Sequence, residues 1–399
     1  MTTSPERCLG SLMKDIDKDL SPREYDFDSK DTAYKTSSEQ KLSLDSIYSF
    51  NSKSSAFSSL SDNNKFFSQG KYSSSLFTKS SILSAFNSQR STIILQKGLK
   101  EASKETINRI IKELSGSFRD IIKNKNGNYF CSDLFKVCDK NQRIIILKEI
   151  SSTISDDCVD EFGTHPIQTL VELAKSEEEY KLILSSFNDY NKILTASLNP
   201  NGSYVILKII VHIPEGYRTE FNLMIIKFLC ILSLDMYGVC AVKKFIGYTK
   251  NELLIKQILN IILTNFVNIS ENQYGNYLIQ YILEHWWNTQ EGIYLKKICM
   301  AKFNTLAENH FSSYICELFI KLASFEEKQL LMSSLIKDKS VTLITNNSNG
   351  SIIMNKLINS LKNQKNGNTC NKKHIPLSLN NIKAFCPKNN KEQNEEKKK

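Results

Sequence analysis

The sequence is poor in residues that interrupt helices and in motifs that perform chemistry. Only 7 of its 399 residues are Pro, whereas Leu, Ile and Lys are abundant, so we expect helices. No G-x-x-x-x-G-K-[ST], G-x-S-x-G or H-E-x-x-H element occurs, and no nucleophile has an identifiable base. We therefore expect a helical protein that is not an enzyme.

Metal-binding patterns are missing too. The ten cysteines are scattered, none stands in a C-x-x-C pair, and no Cys/His spacing matches a zinc module. We expect neither a metal nor a cofactor. Cys131 and Cys316 instead fall on predicted core faces, as small buried apolar residues do.

Long hydrophobic runs are also absent. The longest run, 223–232, is interrupted by Lys227 and is too short to span a bilayer. The chain does not open on the apolar segment of a secretory leader. We expect a soluble, reduced protein of the cytoplasm that does not contact membranes, with the nucleolus as the alternative location.

The net charge of +10 suggests a nucleic-acid partner, but its distribution weakens that argument. Residues 1–85 carry as many acidic as basic side chains, and residues 363–399 carry 9 Lys and 3 Glu. The region between them is therefore only mildly basic. The Lys-rich end would add phosphate affinity that ignores base sequence, or would simply aid solubility. The case for RNA rests on the side-chain pattern.

What the sequence does contain is a repeat. Eight times a small residue, here called the anchor, precedes two polar or aromatic positions, two mostly apolar ones and a position that is often polar. The anchors are Ser91, Gly127, Gly163, Gly202, Gly238, Gly275, Ser312 and Gly350, spaced by 36 to 39 residues. This period predicts an all-α array of eight stacked units with about three helices each.

The repeat divides the chain into three parts. Residues 1–75 are rich in Ser, Asp, Lys and Asn, lack helical periodicity and are expected to be disordered. Residues 76–362 form the predicted array. Residues 363–399 form a Lys- and Asn-rich disordered tail, in which 375–385 is a candidate cap for the last unit.

The sixth unit illustrates the expected local structure. Four apolar residues from Leu278 to Leu283 share one helix face, and Asn276 and Gln280 share the other. Gly is the usual anchor because two units are expected to approach closely where this helix starts. Pro166 falls in the first turn of the third unit's helix, where a missing N–H is tolerated.

The polar positions of the sixth and seventh units suit base recognition. Asn276 and Gln280 offer amide donors and acceptors that fit one base edge, with uracil a good match. Tyr277 beside them offers a flat ring for stacking. In the seventh unit, Ser313 and Glu317 occupy the same positions, and a carboxylate can accept both adjacent N–H groups of guanine.

The elements GNYLIQ and SSYICE, in the sixth and seventh of eight units, resemble Pumilio-type (PUF) RNA-binding repeats. The resemblance covers about residues 86–362. It implies a right-handed α-solenoid, a crescent whose inner face holds single-stranded RNA with one base per unit and the last unit at the 5′ end. It also implies targets in mRNA 3′ untranslated regions that begin U-G-U.

The resemblance assigns roles to three positions of each unit. The residues one and five positions after the anchor would contact the base edge, and the residue two positions after it would stack on the base. The base-edge residues are then Thr92, Gln96, Asn128, Ser132, Thr164, Gln168, Ser203, Asn276, Gln280, Ser313, Glu317, Ser351 and Asn355. The stacking residues are Tyr129, His165, Tyr204, Tyr277 and Tyr314, and the equivalent positions elsewhere are Ile93, Cys240 and Ile352.

Three units depart from the family pattern. Leu207 and Lys243 stand where the fourth and fifth units should carry an amide, and Val239 replaces the fifth unit's first edge group. The eighth unit has Ser351 and Asn355 where Asn and Gln belong. The Thr/Gln pairs of the first and third units would weakly favour adenine or uracil. We expect a firm G-U core, a U before it and loose reading of the 3′ half.

We interpret the chain as a monomeric, sequence-specific RNA-binding protein that regulates mRNA stability and translation. By resemblance, deadenylase or translational-repressor proteins would bind its outer face. One alternative is a PUF-like ribosome-biogenesis factor with little base preference, which units four, five and eight favour. The other is an armadillo- or HEAT-like protein-binding solenoid, whose groove would lack planar side chains in register.

Overall fold

The computed structural model describes residues 77–365, with side chains to residue 362, and these residues form helices but no strand. The helices are α1 (Lys79–Ala85), α2 (Gln89–Lys100), α3 (Lys104–Leu114), α4 (Phe118–Ile122), α5 (Gly127–Val137), α6 (Lys140–Ile150), α7 (Ile154–Asp157), α8 (Thr164–Leu173), α9 (Glu177–Ser185), α10 (Tyr190–Leu198), α11 (Gly202–His212), α12 (Thr219–Lys227), α13 (Leu229–Ser233), α14 (Gly238–Tyr248), α15 (Glu252–Thr264), α16 (Phe266–Glu271), α17 (Gly275–Trp286), α18 (Gln290–Ala301), α19 (Phe303–Glu308), α20 (Ser313–Leu322), α21 (Phe325–Lys337), α22 (Ser340–Asn346) and α23 (Ser348–Lys365). A 3₁₀ turn, Glu215–Tyr217, precedes α12. The predicted disordered segment, tail and cap lie outside the described residues, apart from 363–365 in α23.

These helices repeat in the predicted order. Each of the first seven units has a first helix, a motif helix that carries the anchor sequence, and a third helix. The eighth unit has the first two within the described range. The motif helices are α2, α5, α8, α11, α14, α17, α20 and α23, and each contacts the next. The predicted all-α solenoid of repeated units is confirmed.

The core lies between the motif helices and the helices packed behind them. The four residues of the predicted apolar face of α17, from Leu278 to Leu283, have no exposed surface. Cys131 is buried as predicted, and Pro166 lies in the first turn of α8. No helix within the described range has the length and hydrophobicity needed to cross a membrane.

The third helices of the second and third units are joined by a buried ion pair. Helices α6 and α9 begin with capping boxes, formed by Asp139 with Gln142 and by Ser176 with Glu179. Arg143 Nε of α6 donates a hydrogen bond to Glu179 Oε1 of α9 at 2.9 Å, and the Glu179 side chain is completely buried. The second unit is thereby tied to the third by groups that are costly to leave unpaired.

The anchors are small for a reason other than the predicted one. A Cβ on Gly275 would lie 2.4 Å from the backbone oxygen of Ile269, six residues earlier. Ile269 belongs to the first helix of the same unit, so the close approach is within a unit. The prediction of a close approach between two units was therefore wrong. At the seventh anchor, Ser312 Oγ donates a hydrogen bond to the corresponding oxygen of Leu306 at 2.8 Å. A serine therefore fits where its hydroxyl bonds to this carbonyl.

Candidate nucleic-acid interface

An Asn or Asp three residues before the anchor fixes the start of the motif helix. In the sixth unit, Asn272 Oδ1 accepts hydrogen bonds from the backbone N–H groups of Tyr274 and Gly275 at 2.8 and 2.9 Å. Units two to eight share this arrangement, through Asn124, Asp160, Asn199, Asp235, Asn272, Asn309 and Asn347. These residues were not predicted from the sequence, although their constant spacing from the anchor was a readable signal.

The residues two positions after the anchors, called ring positions below, are all at least partly exposed to solvent. Tyr129, Tyr277 and Tyr314 are 59, 58 and 45% exposed. His165 is exposed and Tyr204 is half-buried. None of the eight ring positions is buried, including those held by Ile93, Cys240 and Ile352. Flat rings at this spacing, on helices that contact one another, are suited to stacking on successive bases.

The first edge positions, one residue after the anchors, lie deeper. Seven are buried and the eighth is half-buried; in chain order they are Thr92, Asn128, Thr164, Ser203, Val239, Asn276, Ser313 and Ser351. Asn276 Nδ2 donates hydrogen bonds to the backbone oxygens of Asn272 and Gln273, both at 3.0 Å. Ser313 Oγ donates to the backbone oxygen of His310 at 2.8 Å. These side chains therefore also hold the loop before the motif helix, which restricts the atoms that a base could meet.

The second edge positions, five residues after the anchors, are mostly more accessible. Gln96, Ser132, Lys243, Gln280 and Glu317 are half-buried and Asn355 is exposed, whereas Gln168 and Leu207 are buried. Gln280 Nε2 donates a hydrogen bond to Asn276 Oδ1 at 2.9 Å, and Gln168 Nε2 donates to Thr164 Oγ1 at 3.0 Å. In the third and sixth units, the structure thus joins the two predicted edge residues into one polar group.

The fourth and fifth units offer a different surface. Leu207 and Val239 are buried apolar side chains at 7 and 6% exposure, and Ser203 Oγ donates to the backbone oxygen of Pro200 at 3.3 Å. Lys243 is half-buried, and burial lowers the pKa of its ammonium group. These two units therefore lack the amide or carboxylate that the other units present.

The second edge residue contacts the next unit at a position six residues after that unit's anchor, here called the clamp position. This contact occurs in three pairs: Gln96–Asp133, Lys243–Tyr281 and Glu317–Lys356. Gln96 Nε2 donates to Asp133 Oδ2 at 2.7 Å, and Lys356 Nζ lies 2.6 Å from Glu317 Oε1. Sequence reasoning missed the clamp residues because the pairing depends on how neighbouring units are aligned. Over the residues with described positions, no group of His, Cys, Asp and Glu side chains is arranged to hold a metal.

The same architecture is found in known repeats. Four segments, residues 92–115, 117–151, 192–220 and 265–288, match the model of the Pumilio-family RNA binding repeat. These four segments carry the Pumilio-family RNA-binding repeat. The matched segments include the motif helices of units two, four and six and all but the first three residues of that of unit one. The resemblance inferred from the sequence is thus confirmed, and the repeat is one of RNA-binding proteins and not of enzymes.

Curated relatives carry the Pumilio name. Pumilio homolog 12 of Arabidopsis thaliana is 27% identical over 285 residues, which are 69% of this chain and 46% of that protein. A Pumilio domain-containing protein of Schizosaccharomyces pombe is 25% identical over 265 residues, 65% of this chain and 38% of that protein. The chain therefore spans less than half the length of these relatives.

Solved structures share the fold of this array. The Puf4 RNA-binding domain, bound to an HO endonuclease RNA 3′ UTR recognition sequence, has a TM-score of 0.65 at 19% identity and covers 71% of this chain and 88% of that one. The RNA-binding domain of yeast Puf5p, bound to SMX2 RNA, has a TM-score of 0.61 at 19% identity, covering 69 and 82%. At this identity the likeness establishes the fold.

Proposed function

We propose that the Pumilio-family array binds single-stranded RNA with base preference. The observation that carries this proposal is the register of exposed rings, with Tyr129, Tyr277 and Tyr314 at the same position of motif helices that stack in one row. Each stacked base contributes about 1–3 kcal/mol, so several rings can hold RNA without a strongly basic surface. The solved Puf4 and Puf5p domains of the same fold are bound to RNA.

The base preference would come mainly from the sixth and seventh units. Asn276 and Gln280 form one polar group with both a donor and an acceptor to offer, as uracil requires. Glu317 offers a carboxylate, which suits the two N–H groups of guanine. With RNA antiparallel to the chain, these units specify G-U, and Ser351 and Asn355 of the eighth unit accommodate the preceding U.

We extend the proposal to regulation of mRNA. The protein would occupy elements with a U-G-U core in 3′ untranslated regions and would act in the cytoplasm as a monomer. Translation and mRNA decay would change through recruitment, with deadenylase or translational-repressor proteins bound on helices away from the motif row. No chemistry by the chain itself is needed for this role.

One titration tests the RNA proposal. The full chain is titrated by fluorescence anisotropy into a labelled RNA that contains UGU and into the same RNA with ACA in its place. We expect micromolar or tighter binding to the first and at least about tenfold weaker binding to the second, because one base contact discriminates by about 1–3 kcal/mol. Absence of RNA binding would favour the protein-binding solenoid instead.

A second candidate, RNA binding with little base preference, is favoured by the middle of the array. Leu207 and Val239 have no polar side-chain atom, and Lys243 is better suited to a phosphate than to one particular base. This ribosome-biogenesis type of function predicts equal affinity for the UGU and ACA RNAs and a nucleolar location. The same titration, with fluorescence microscopy of the tagged chain, separates the two candidates.

A further inference from the structure

The edge groups of the first unit present only hydrogen-bond acceptors. Gln96 Nε2 donates to Asp133 Oδ2 at 2.7 Å and to the backbone oxygen of Tyr129 at 3.4 Å. A carboxylate can only accept, so the NH₂ group of Gln96 must face Asp133, and both of its hydrogens are in use. The hydroxyl of Thr92 points to the backbone oxygens of Ala85 and Ser88. What this unit offers a base is therefore the oxygen Oε1 of Gln96.

The second unit also presents only hydrogen-bond acceptors, for a different reason. Asn128 Nδ2 donates to the backbone oxygens of Asn124 and Lys125 at 2.9 and 2.7 Å, so its NH₂ group is also fully used. Its Oδ1 is buried and has no hydrogen-bond partner within the chain. Ser132 Oγ donates to the backbone oxygen of Asn128 at 3.0 Å and leaves its lone pairs as acceptors. A buried acceptor without a partner is unfavourable, and an N–H group of a ligand would supply the missing hydrogen bond.

The third and sixth units differ from these two. Their Gln168 and Gln280 each use one amide hydrogen within the unit and retain an oxygen and a second N–H. Such a group can pair with uracil or adenine, each of which has both a donor and an acceptor on its edge. The orientation of the side-chain amides thus divides these units into two classes. Units one and two present acceptors only, whereas units three and six present both a donor and an acceptor.

We infer that units one and two discriminate against uracil and favour guanine, and that Asp133 is the positioning residue that imposes this on Gln96. The inference rests on the proposed RNA binding. Uracil has a single N–H between two carbonyl oxygens, and these oxygens would face acceptors and the Asp133 carboxylate. Guanine offers two adjacent N–H groups. The weak adenine or uracil preference expected from Thr92 and Gln96 is replaced by selection against uracil.

The test is a selection from a random RNA library with the full chain and its Asp133→Asn variant. Asparagine keeps the size of aspartate but can turn its own NH₂ group toward Gln96, so the Gln96 amide is able to rotate and offer a donor. In the unchanged chain we expect uracil to be depleted about tenfold at each of the two positions read by units one and two. In Asp133→Asn we expect the depletion at the first unit's position to fall to about twofold or less, with the second unit's position and the G-U core unaffected.

Further variants test which base position Gln96 reads and whether Asp133 acts through Gln96. Gln96→Ala should abolish the depletion at the same position, and adding Asp133→Asn to it should change nothing more, because Asp133 acts through Gln96. Asp120→Asn is the charge-matched control: Asp120 is exposed on α4 of the same unit, and its replacement should leave every base preference unchanged.

The outcomes separate this inference from the proposed function. A normal G-U core with no uracil depletion in the unchanged chain would overturn the inference alone. Depletion that persists at the first unit's position in Asp133→Asn would show that Asp133 does not position Gln96. If no RNA sequence is enriched at all, the proposed function fails, and the inference that rests on it fails as well.

Discussion

Lys356 Nζ lies 2.6 Å from Glu317 Oε1, so the carboxylate expected to meet guanine is already held by the following unit. The two side chains are 47 and 35% exposed, and an ion pair this open to water contributes little to stability. Its effect is to orient the Glu317 carboxylate, because Oε1 faces the lysine. This places the seventh unit among those that present acceptors.

Glu317→Gln is therefore expected to relax the guanine requirement of the seventh unit. The amide replaces one acceptor by a donor, which mismatches the paired N–H groups of guanine and costs about 1–3 kcal/mol of discrimination. Titration with RNAs that carry G or A at this position measures the change. Lys356→Met is the control, since Glu317 then keeps both oxygens and its preference for G. Unchanged discrimination in Glu317→Gln would contradict the assignment.

Tyr277→Ala is expected to weaken RNA binding without destabilising the fold. The ring is 58% exposed, so little packing is lost, whereas one stacked base is worth about 1–3 kcal/mol. Anisotropy titration and thermal unfolding measure the two effects. Tyr217→Ala removes a ring that is 47% exposed on the 3₁₀ turn, outside the motif helices, and should leave affinity unchanged. Equal losses of affinity in both variants would argue against stacking at the ring position.

Gly275→Ala is expected to lower the free energy of unfolding by about 1–3 kcal/mol, the usual cost of forcing extra atoms into a packed site. The new methyl group would meet the Ile269 backbone oxygen, which cannot move without displacing α16. Gly216→Ala is the matched control, because no atom lies within 4 Å of the added Cβ. Denaturant unfolding monitored by circular dichroism compares them; similar stability of the two variants would refute the steric role.

Stability is expected to fall in acid through Glu179. Burial raises the pKa of its carboxyl group, but hydrogen bonds from the Lys175 backbone, Ser176 and Arg143 outweigh this, so the pKa lies below its ordinary value of 4.5. A lowered pKa means that this stabilisation is present above about pH 4.5 and is lost as the pH falls through the folded-state value.

Glu179→Gln tests this pH dependence of stability. Removing the charge leaves Arg143 buried without its partner, and we expect a loss of about 3 kcal/mol near neutral pH. The stability of the variant should then depend less on pH below 4.5 than that of the unchanged chain. Parallel acid profiles for the two proteins would show that other carboxyl groups dominate.

The sequence was sufficient for the architecture because every unit must bury the same positions. The apolar face of α17, the place of Pro166 and the buried Cys131 all follow from periodicity, which local packing enforces. The reason for the glycine anchors was misjudged, since a repeat pattern does not tell which neighbouring backbone is close. The Asn and Asp residues before the anchors were readable but overlooked among many polar loop residues.

The candidate site was predictable only as a set of positions. Gln96 and Gln280 are the same residue type at the same place in their units, yet one amide is bound to Asp133 and the other to Asn276. That difference depends on a side chain in the adjacent unit. How adjacent units are aligned is visible only in three dimensions. Contact of the predicted residues with RNA stays a prediction.

The clamp contacts limit how far this array can be treated as interchangeable modules. A segment that carries Gln96 but is transplanted in front of a unit lacking Asp133 would lose the partner that orients its amide. Engineering of new recognition in this scaffold would therefore have to exchange residues across unit boundaries, with the reader and its downstream neighbour chosen together.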